Sequence, residues 1–217
     1  MRLLFLGDSL TEGVGATTSE NSYVKLVEKA LSCQVFNYGI SGTRIAKQTN
    51  PTCYATRWDL DFQLRAQTMP EDADLVFVLG GINDFQHGDA LLGEVSSEDP
   101  YTFCGGVRNL LTYLVEKYGK EKLCLLLPPR LCHEQGRPCK GPDGAQPGAD
   151  YEVYVEHLNT IAQEYVPNII DLYHNGYPKP LCDTVDIYTV DGIHPSDEGY
   201  RVIAENVCLF CRERMHL

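Results

Sequence analysis

Three side chains in this sequence suit acyl transfer. They are a serine just past the first apolar run, and an aspartate and a histidine three residues apart near the C-terminus. Ser9 lies in LLFLGDSLTEGVG, Leu3 to Gly15, where four apolar residues give way to Gly7, Asp8 and Ser9, with Gly13 and Gly15 beyond. A serine hydroxyl attacks poorly at neutral pH until a base takes its proton. Asp191 and His194, in VDGIHPSDEGY, offer that base and its orienter. At this spacing the carboxylate curls back onto the imidazole, holding one ring nitrogen protonated and leaving the other for Ser9. Attack on a carbonyl builds a negative oxygen, which needs donors. Gly42, in NYGISGTR, has no side chain to keep its backbone N–H from a substrate, and Asn83, in LGGIND, carries an amide. The Ser9 N–H makes a third donor.

Two phosphate-binding readings of the glycine-rich stretch are weak. A phosphate loop needs Lys and then Ser or Thr after its last glycine, but no lysine occurs before Lys25. A dinucleotide fingerprint needs a glycine where Thr18 stands.

The elements that must position these residues follow from periodicity. Apolar runs at Leu3–Leu6, Val35–Asn37, Leu75–Leu79, Leu123–Leu127 and Ile169–Leu172 read as strands covered on both faces. Helical stretches lie between them: Ser22–Leu31, FCGGVRNLLTYLVEKYG with its stripe of Phe103, Val107, Leu110, Leu111 and Leu114, and YEVYVEHLNTIAQEYV up to Pro167. A last helix starts after Ser196, its expected N-cap, with Tyr200, Ile203, Ala204, Val207 and Cys211 on one face. The alternation predicts an α/β domain with a mostly parallel sheet, a single domain over residues 1–217. Ser9, Gly42 and Asn83 follow the ends of successive strands, so they face one crevice. Arg130 to Asp150, rich in Gly, Pro and charge, reads as a long loop insert, either surface or a lid. Lys47 to Gln63 ends in a helix and holds the only tryptophan, Trp58, as a packing anchor.

The blocks Gly7-Asp8-Ser9-Leu10, Gly42, Gly81-Ile82-Asn83-Asp84 and Asp191-Gly192-Ile193-His194-Pro195 resemble the four signature blocks of the GDSL esterase/lipase family, the SGNH hydrolases, in the family's order. The resemblance implies a triad of Ser9, His194 and Asp191 and oxyanion donors at Ser9, Gly42 and Asn83. It also implies a three-layer α/β/α, flavodoxin-like fold with five parallel strands in the order 2-1-3-4-5, and hydrolysis of esters or thioesters with no metal or other cofactor.

Composition limits the partners. With a net charge of −12 the chain suits a small-molecule ester better than nucleic acid or an anionic membrane, and no apolar run reaches the roughly 20 residues of a membrane span. The nine cysteines, several within apolar runs, read as reduced small hydrophobes and point to the cytoplasm. Cys132, His133 and Cys139 could join Cys208 and Cys211 around zinc, but the last two fall at the spacing of one buried helix face, and no metal site is expected. Asp8 reads as structural, its carboxylate on nearby backbone N–H groups, and Asp84 likewise, as the cap of a following helix. His87 reads as a surface-loop residue, and His157 and His216 have no role. Two functions compete with the serine ester hydrolase. One is a metal-dependent phosphoesterase using Asp8, Asn83, Asp191 and His194, which has too few histidines and bridging carboxylates. The other is a non-catalytic carbohydrate- or acyl-binding module, for which an intact nucleophile, base and donor set is unneeded.

Overall fold

The computed structural model describes residues 1–48, 60–87, 90–136, 139–141, 144–146, 148–182 and 186–215. Trp58 and His216 lie outside these residues. Five parallel strands form the sheet: β1 (Arg2–Gly7), β2 (Gln34–Gly39), β3 (Leu75–Leu79), β4 (Leu123–Leu127) and β7 (Asn168–Asp171), in the spatial order β2-β1-β3-β4-β7. Counting only these strands, the order is the expected 2-1-3-4-5. Leu3, Leu4, Phe5 and Leu6 are wholly buried, as a strand with helices on both faces requires.

The helices are α1 (Ser9–Glu12), α2 (Tyr23–Leu31), α3 (Phe62–Thr68), α4 (Ile82–His87), α5 (Phe103–Tyr118), α6 (Tyr151–Tyr165) and α7 (Asp197–Met215). Packing of α2 on α7 makes one outer layer, and α5 with α3 and α6 makes the other. Polar side chains set several starts: Asp61 accepts from Leu64 N–H at 2.9 Å and Thr102 from Gly105 N–H at 3.2 Å. Ser196 Oγ accepts from Gly199 N–H at 3.2 Å, the cap expected from sequence. No helix among the described residues is long and apolar enough to cross a membrane.

The stretch 130–150 departs from the expected loop. It carries an antiparallel pair, β5 (Cys139–Gly141) and β6 (Gly144–Gln146). Its root is fixed: Glu134 receives Arg130 and the Leu131 N–H, and Tyr151 N–H returns to Glu134 C=O at 2.8 Å.

Register aligns the carboxyl ends that matter. Gly7, the last residue of β1, pairs with Gly39 of β2 on one side and Leu79 of β3 on the other. The chain leaves β1 for opposite neighbours, so the turns after these strands share one crevice at the point where strand order reverses.

Candidate active site

Ser9 is the first residue of α1, and Asp8 is that helix's cap, accepting from Leu10 N–H at 3.0 Å. The expected structural role of Asp8 is therefore seen. Burial pushes its carboxyl up to about 6, opposed by the Leu10 bond and then by the Arg65 cation. Helix α1 seats closely on β2: a Cβ on Gly39 would lie 2.1 Å from the Glu12 nitrogen. Ser9 itself is 7% exposed, its hydroxyl at the crevice.

The partners arrive from the other end of the chain on a loop closed by a bridge between Thr189 and Pro195 and by a Val190 N–H bond to His194 C=O at 2.9 Å. His194 Nε2 lies 3.1 Å from Ser9 Oγ, and Nδ1 lies 2.7 Å from Asp191 Oδ2. Asp191 Oδ1 accepts the backbone N–H groups of Ile193 at 3.0 Å and His194 at 2.8 Å. Partial burial raises the Asp191 carboxyl, but these bonds to His194 and Ile193 outweigh it and hold it below the usual carboxylate range. Glycines allow this approach. A Cβ on Gly15, whose φ is +99°, would lie 2.4 Å from the Pro195 carbonyl oxygen and 3.2 Å from His194 Cβ. The sequence marks Gly15 only as part of a glycine-rich turn. Its use is contact with the histidine loop.

Gly42 has φ +77° in the turn after β2. Neither its N–H nor that of Ser9 meets an acceptor among the described residues. Asn83, in the first turn of α4, donates one amide N–H to Thr43 C=O at 3.0 Å; the amide has a second. Asp84 is structural, with a different partner from the one expected: its carboxylate clamps Ile45 N–H at 3.0 Å and Ala46 N–H at 2.9 Å rather than capping a following helix. Burial raises it to about 6 against those two bonds. His87 is exposed as expected, but it ends α4 rather than lying in a loop, and its Nε2 is 3.2 Å from Asn83 Oδ1.

The sequence reading missed Arg65. Buried on α3, it donates to Gly7 C=O at 2.8 Å, to Tyr38 C=O, to Thr43 Oγ1 at 2.7 Å and to Leu60 C=O at 2.8 Å. One guanidinium thus ties the ends of β1 and β2 to the Gly42 turn. Burial lowers it to about 10, which leaves it a cation at neutral pH. Its signal was available. Phe62, Arg65, Ala66 and Met69 form the buried stripe of a helix, and a cation on such a stripe needs acceptors.

The expectation that every cysteine is reduced is corrected at one pair. Cys132, after β4, and Cys182, before the histidine loop, are disulfide-bonded with Cα atoms 5.1 Å apart, because the fold brings two distant loops together. Cys33, Cys104, Cys124, Cys208 and Cys211 are free, all buried except the half-buried Cys33. Cys208 and Cys211 sit on one buried face of α7, as their spacing suggested. The Cys139 side chain lies outside the described residues. His157 stands beside Cys104 Sγ at 3.4 Å. A cavity of about 580 Å³ adjoins the histidine loop, its lining including Asp186, Thr189, Asp191, Ser196, Cys132, His133 and Cys182.

Comparison with known proteins agrees with this architecture. A protein from Lactobacillus plantarum is 26% identical, with a TM-score of 0.75 over 98% of this chain and 96% of its own. A member of the lipolytic protein G-D-S-L family from Veillonella parvula is 17% identical, with a TM-score of 0.65 over 98% of this chain and 99% of its own. A two-domain esterase active on acetylated mannans is 16% identical, with a TM-score of 0.60; it spans 100% of this chain but only 50% of its own length is matched. No curated protein matches the sequence. The profile of the GDSL-like lipase/acylhydrolase family matches residues 5–202, nearly the whole length, and the chain belongs to that family.

Proposed function

We propose that this chain is a serine ester hydrolase of small acyl esters, acetylated sugars among them, working through an acyl-enzyme on Ser9. The observation that carries the reading is the placement of one imidazole between two partners: His194 lies within hydrogen-bond reach of Ser9 Oγ and of Asp191. Ser9 Oγ attacks the ester carbonyl carbon while its proton passes to His194 Nε2. The oxygen that gains charge is received by the N–H groups of Ser9 and Gly42 and the Asn83 amide. As the intermediate collapses, His194 returns the proton to the departing alcohol. Water then attacks the acyl-enzyme, with His194 again as base and Asp191 holding the imidazolium.

Two features favour a hydroxylated leaving group. The cavity beside Asp191 is polar on its Asp186, Thr189 and Ser196 lining, and the Asp186 carboxylate is the acceptor there for a substrate hydroxyl. The esterase of acetylated mannans shares the fold. We place the whole of residues 1–217 in one hydrolase domain. With a charge of −12 its partner is the small ester, not nucleic acid or membrane. Five free cysteines among the described residues, against one disulfide, suit the cytoplasm.

Replacement of Ser9 by Ala tests the mechanism with a nitrophenyl acetate and an acetylated xylan or mannan oligosaccharide as substrates. Turnover of both is expected to fall by about 10³-fold or more with folding retained. An S9A variant that keeps full activity overturns the reading. A serine-directed organophosphonate should add its mass to the Ser9 peptide.

A further inference from the structure

Outside the Ser9–His194 constellation, one cluster has the makeup of a ligand set. The Cys132 and Cys182 sulfurs and an imidazole nitrogen of His133 all lie within 4.8 Å of one another. They come from two separate chain segments, and His133 and Cys182 are exposed at the cavity, so an ion can enter from solvent. Among the described residues this is the one group of three or more His, Cys, Asp or Glu side chains so close-set. The cluster is not peripheral to the fold. Cys132 N–H donates to Gly192 C=O at 2.9 Å, and a Cβ on Gly192 would lie 2.6 Å from Cys132 Cβ. The segment between Asp191 and His194 thus rests directly on Cys132.

We propose that Cys132, His133 and Cys182 are a redox-gated site for one thiophilic divalent cation, Zn²⁺ being the natural occupant by ligand chemistry. Two thiolates and an imidazole are the donors zinc takes, at about 2.3 Å for sulfur and 2.0 Å for nitrogen, in a tetrahedron whose sulfur-to-sulfur edge is about 3.7 Å. The disulfide and the ion exclude each other, because the disulfide leaves no thiolate. A dithiol reductant opens the site: the Cys132–Cys182 bond breaks, both cysteines leave as thiols, and the reductant closes to its own disulfide. Binding of the cation then displaces two thiol protons to solvent. Water fills the fourth position, since two of the three ligand residues face solvent. Either state holds the Cys182 segment against the residue on which the histidine loop rests, by a covalent bond in one and by the ion in the other.

The test is direct metal binding. Wild-type protein is reduced with a dithiol, desalted without oxygen and titrated with Co²⁺, followed by Zn²⁺. The expected result is one equivalent of Co²⁺ with tetrahedral d–d bands and a thiolate charge-transfer band, displaced by Zn²⁺. The same protein kept oxidised should show neither band. Cys182→Ser should abolish the charge-transfer signal of the site, and His133→Ala should weaken binding by roughly tenfold or more, the loss of a whole ligand. A reduced wild type that binds no more cation than the oxidised form overturns the proposal, and that comparison needs no variant to fold. Equal binding by reduced wild type and a folded Cys182→Ser protein also overturns it, by assigning the ion to other cysteines.

Discussion

The two halves of the crevice are built on opposite electrostatic terms. On the serine side, Asp8 and Asp84 are fully buried carboxylates raised to about 6, and Arg65 is a buried cation. On the histidine side, Asp191 is half in solvent and Asp197 is at the surface, and hydrogen bonds hold both below the usual carboxylate range. The serine turn is therefore fixed by groups whose charge burial disfavours, each held by at least one backbone hydrogen bond. The histidine loop is fixed by groups that prefer their charge and reach water. A nucleophile needs one position. A base that shuttles a proton needs a partner that stays ionised. Each half has the electrostatics that the proposed reaction would ask of it.

The sharpest way to break this contrast is to remove the cation beneath the serine turn. Arg65→Leu takes the guanidinium donor from the Tyr38 carbonyl and Thr43, leaves the Gly7 carbonyl with only the Ile40 N–H, and removes the cation that most favours the Asp8 carboxylate. Removing one partner from a buried charged network costs about 3–5 kcal/mol. Urea unfolding at neutral pH should show a loss of that size. A loss under about 1 kcal/mol would mean that the backbone alone holds the turn. Arg65→Lys should recover little, because an ammonium cannot span the same acceptors.

The next effect lies where the halves touch. Gly15→Ala puts a methyl group 2.4 Å from the Pro195 oxygen and 3.2 Å from His194 Cβ, at φ +99°. The histidine loop must retreat from Ser9, and a displacement near 1 Å costs about 10²-fold in rate. We expect kcat to fall by roughly that factor with KM little changed. Gly119→Ala is the control: it also has positive φ (+80°), but nothing lies within 4 Å, so activity should be kept despite some backbone strain. Equal activity in the two variants would separate Gly15 from the site.

Asp8 sharpens the electrostatic half of the comparison. Its folded carboxyl is raised to about 6 from an ordinary 3.8, so the folded state holds its proton the tighter. Its contribution to stability is fully present below the unfolded value and is lost as pH rises through about 6. Asp8→Asn keeps an acceptor for the Leu10 N–H and removes the titration. Between pH 4 and 7 the wild type should therefore lose on the order of 2 kcal/mol more than the variant, read from urea midpoints at constant slope. Parallel curves would remove Asp8 as the source.

How much of this was legible in the sequence divides along the same line. Geometry set by residues close in the chain, or at strand ends, was readable. Asp191 and His194 do meet as their spacing suggested, and the order of apolar runs gave the sheet. What depended on pairing across the chain was not. Asp84 clamps a loop nearly forty residues earlier, Cys132 finds Cys182, and Gly15 earns its place only against Pro195. Arg65 sits between the two cases, because its helical stripe is visible while its acceptors belong to two strands and a turn. The paired strands Cys139–Gly141 and Gly144–Gln146 are each too short for a periodicity to register.

The smallest effect concerns the tie that joins the halves from outside. Asp197, in the first turn of α7, accepts Thr17 N–H at 2.8 Å, Thr17 Oγ1 at 2.6 Å and Asn21 Nδ2 at 2.8 Å. Residues from the start of the chain are thus pinned beside the histidine loop. The Thr17 side-chain and backbone bonds together hold the Asp197 carboxyl below its ordinary value. The sign is opposite to that of Asp8. A depressed folded carboxyl contributes stability that is present above the unfolded value and lost as pH falls through the folded one. At neutral pH Asp197→Ala should cost less than about 1 kcal/mol, because solvent screens the group. The difference from wild type should close as pH falls through the depressed folded value, below which both proteins lack the charge. A double-mutant cycle with Thr17→Ala assigns the cost: a coupling near zero would leave the contact energetically silent, and a coupling of about 0.5 kcal/mol or more identifies it as the clasp between the two halves.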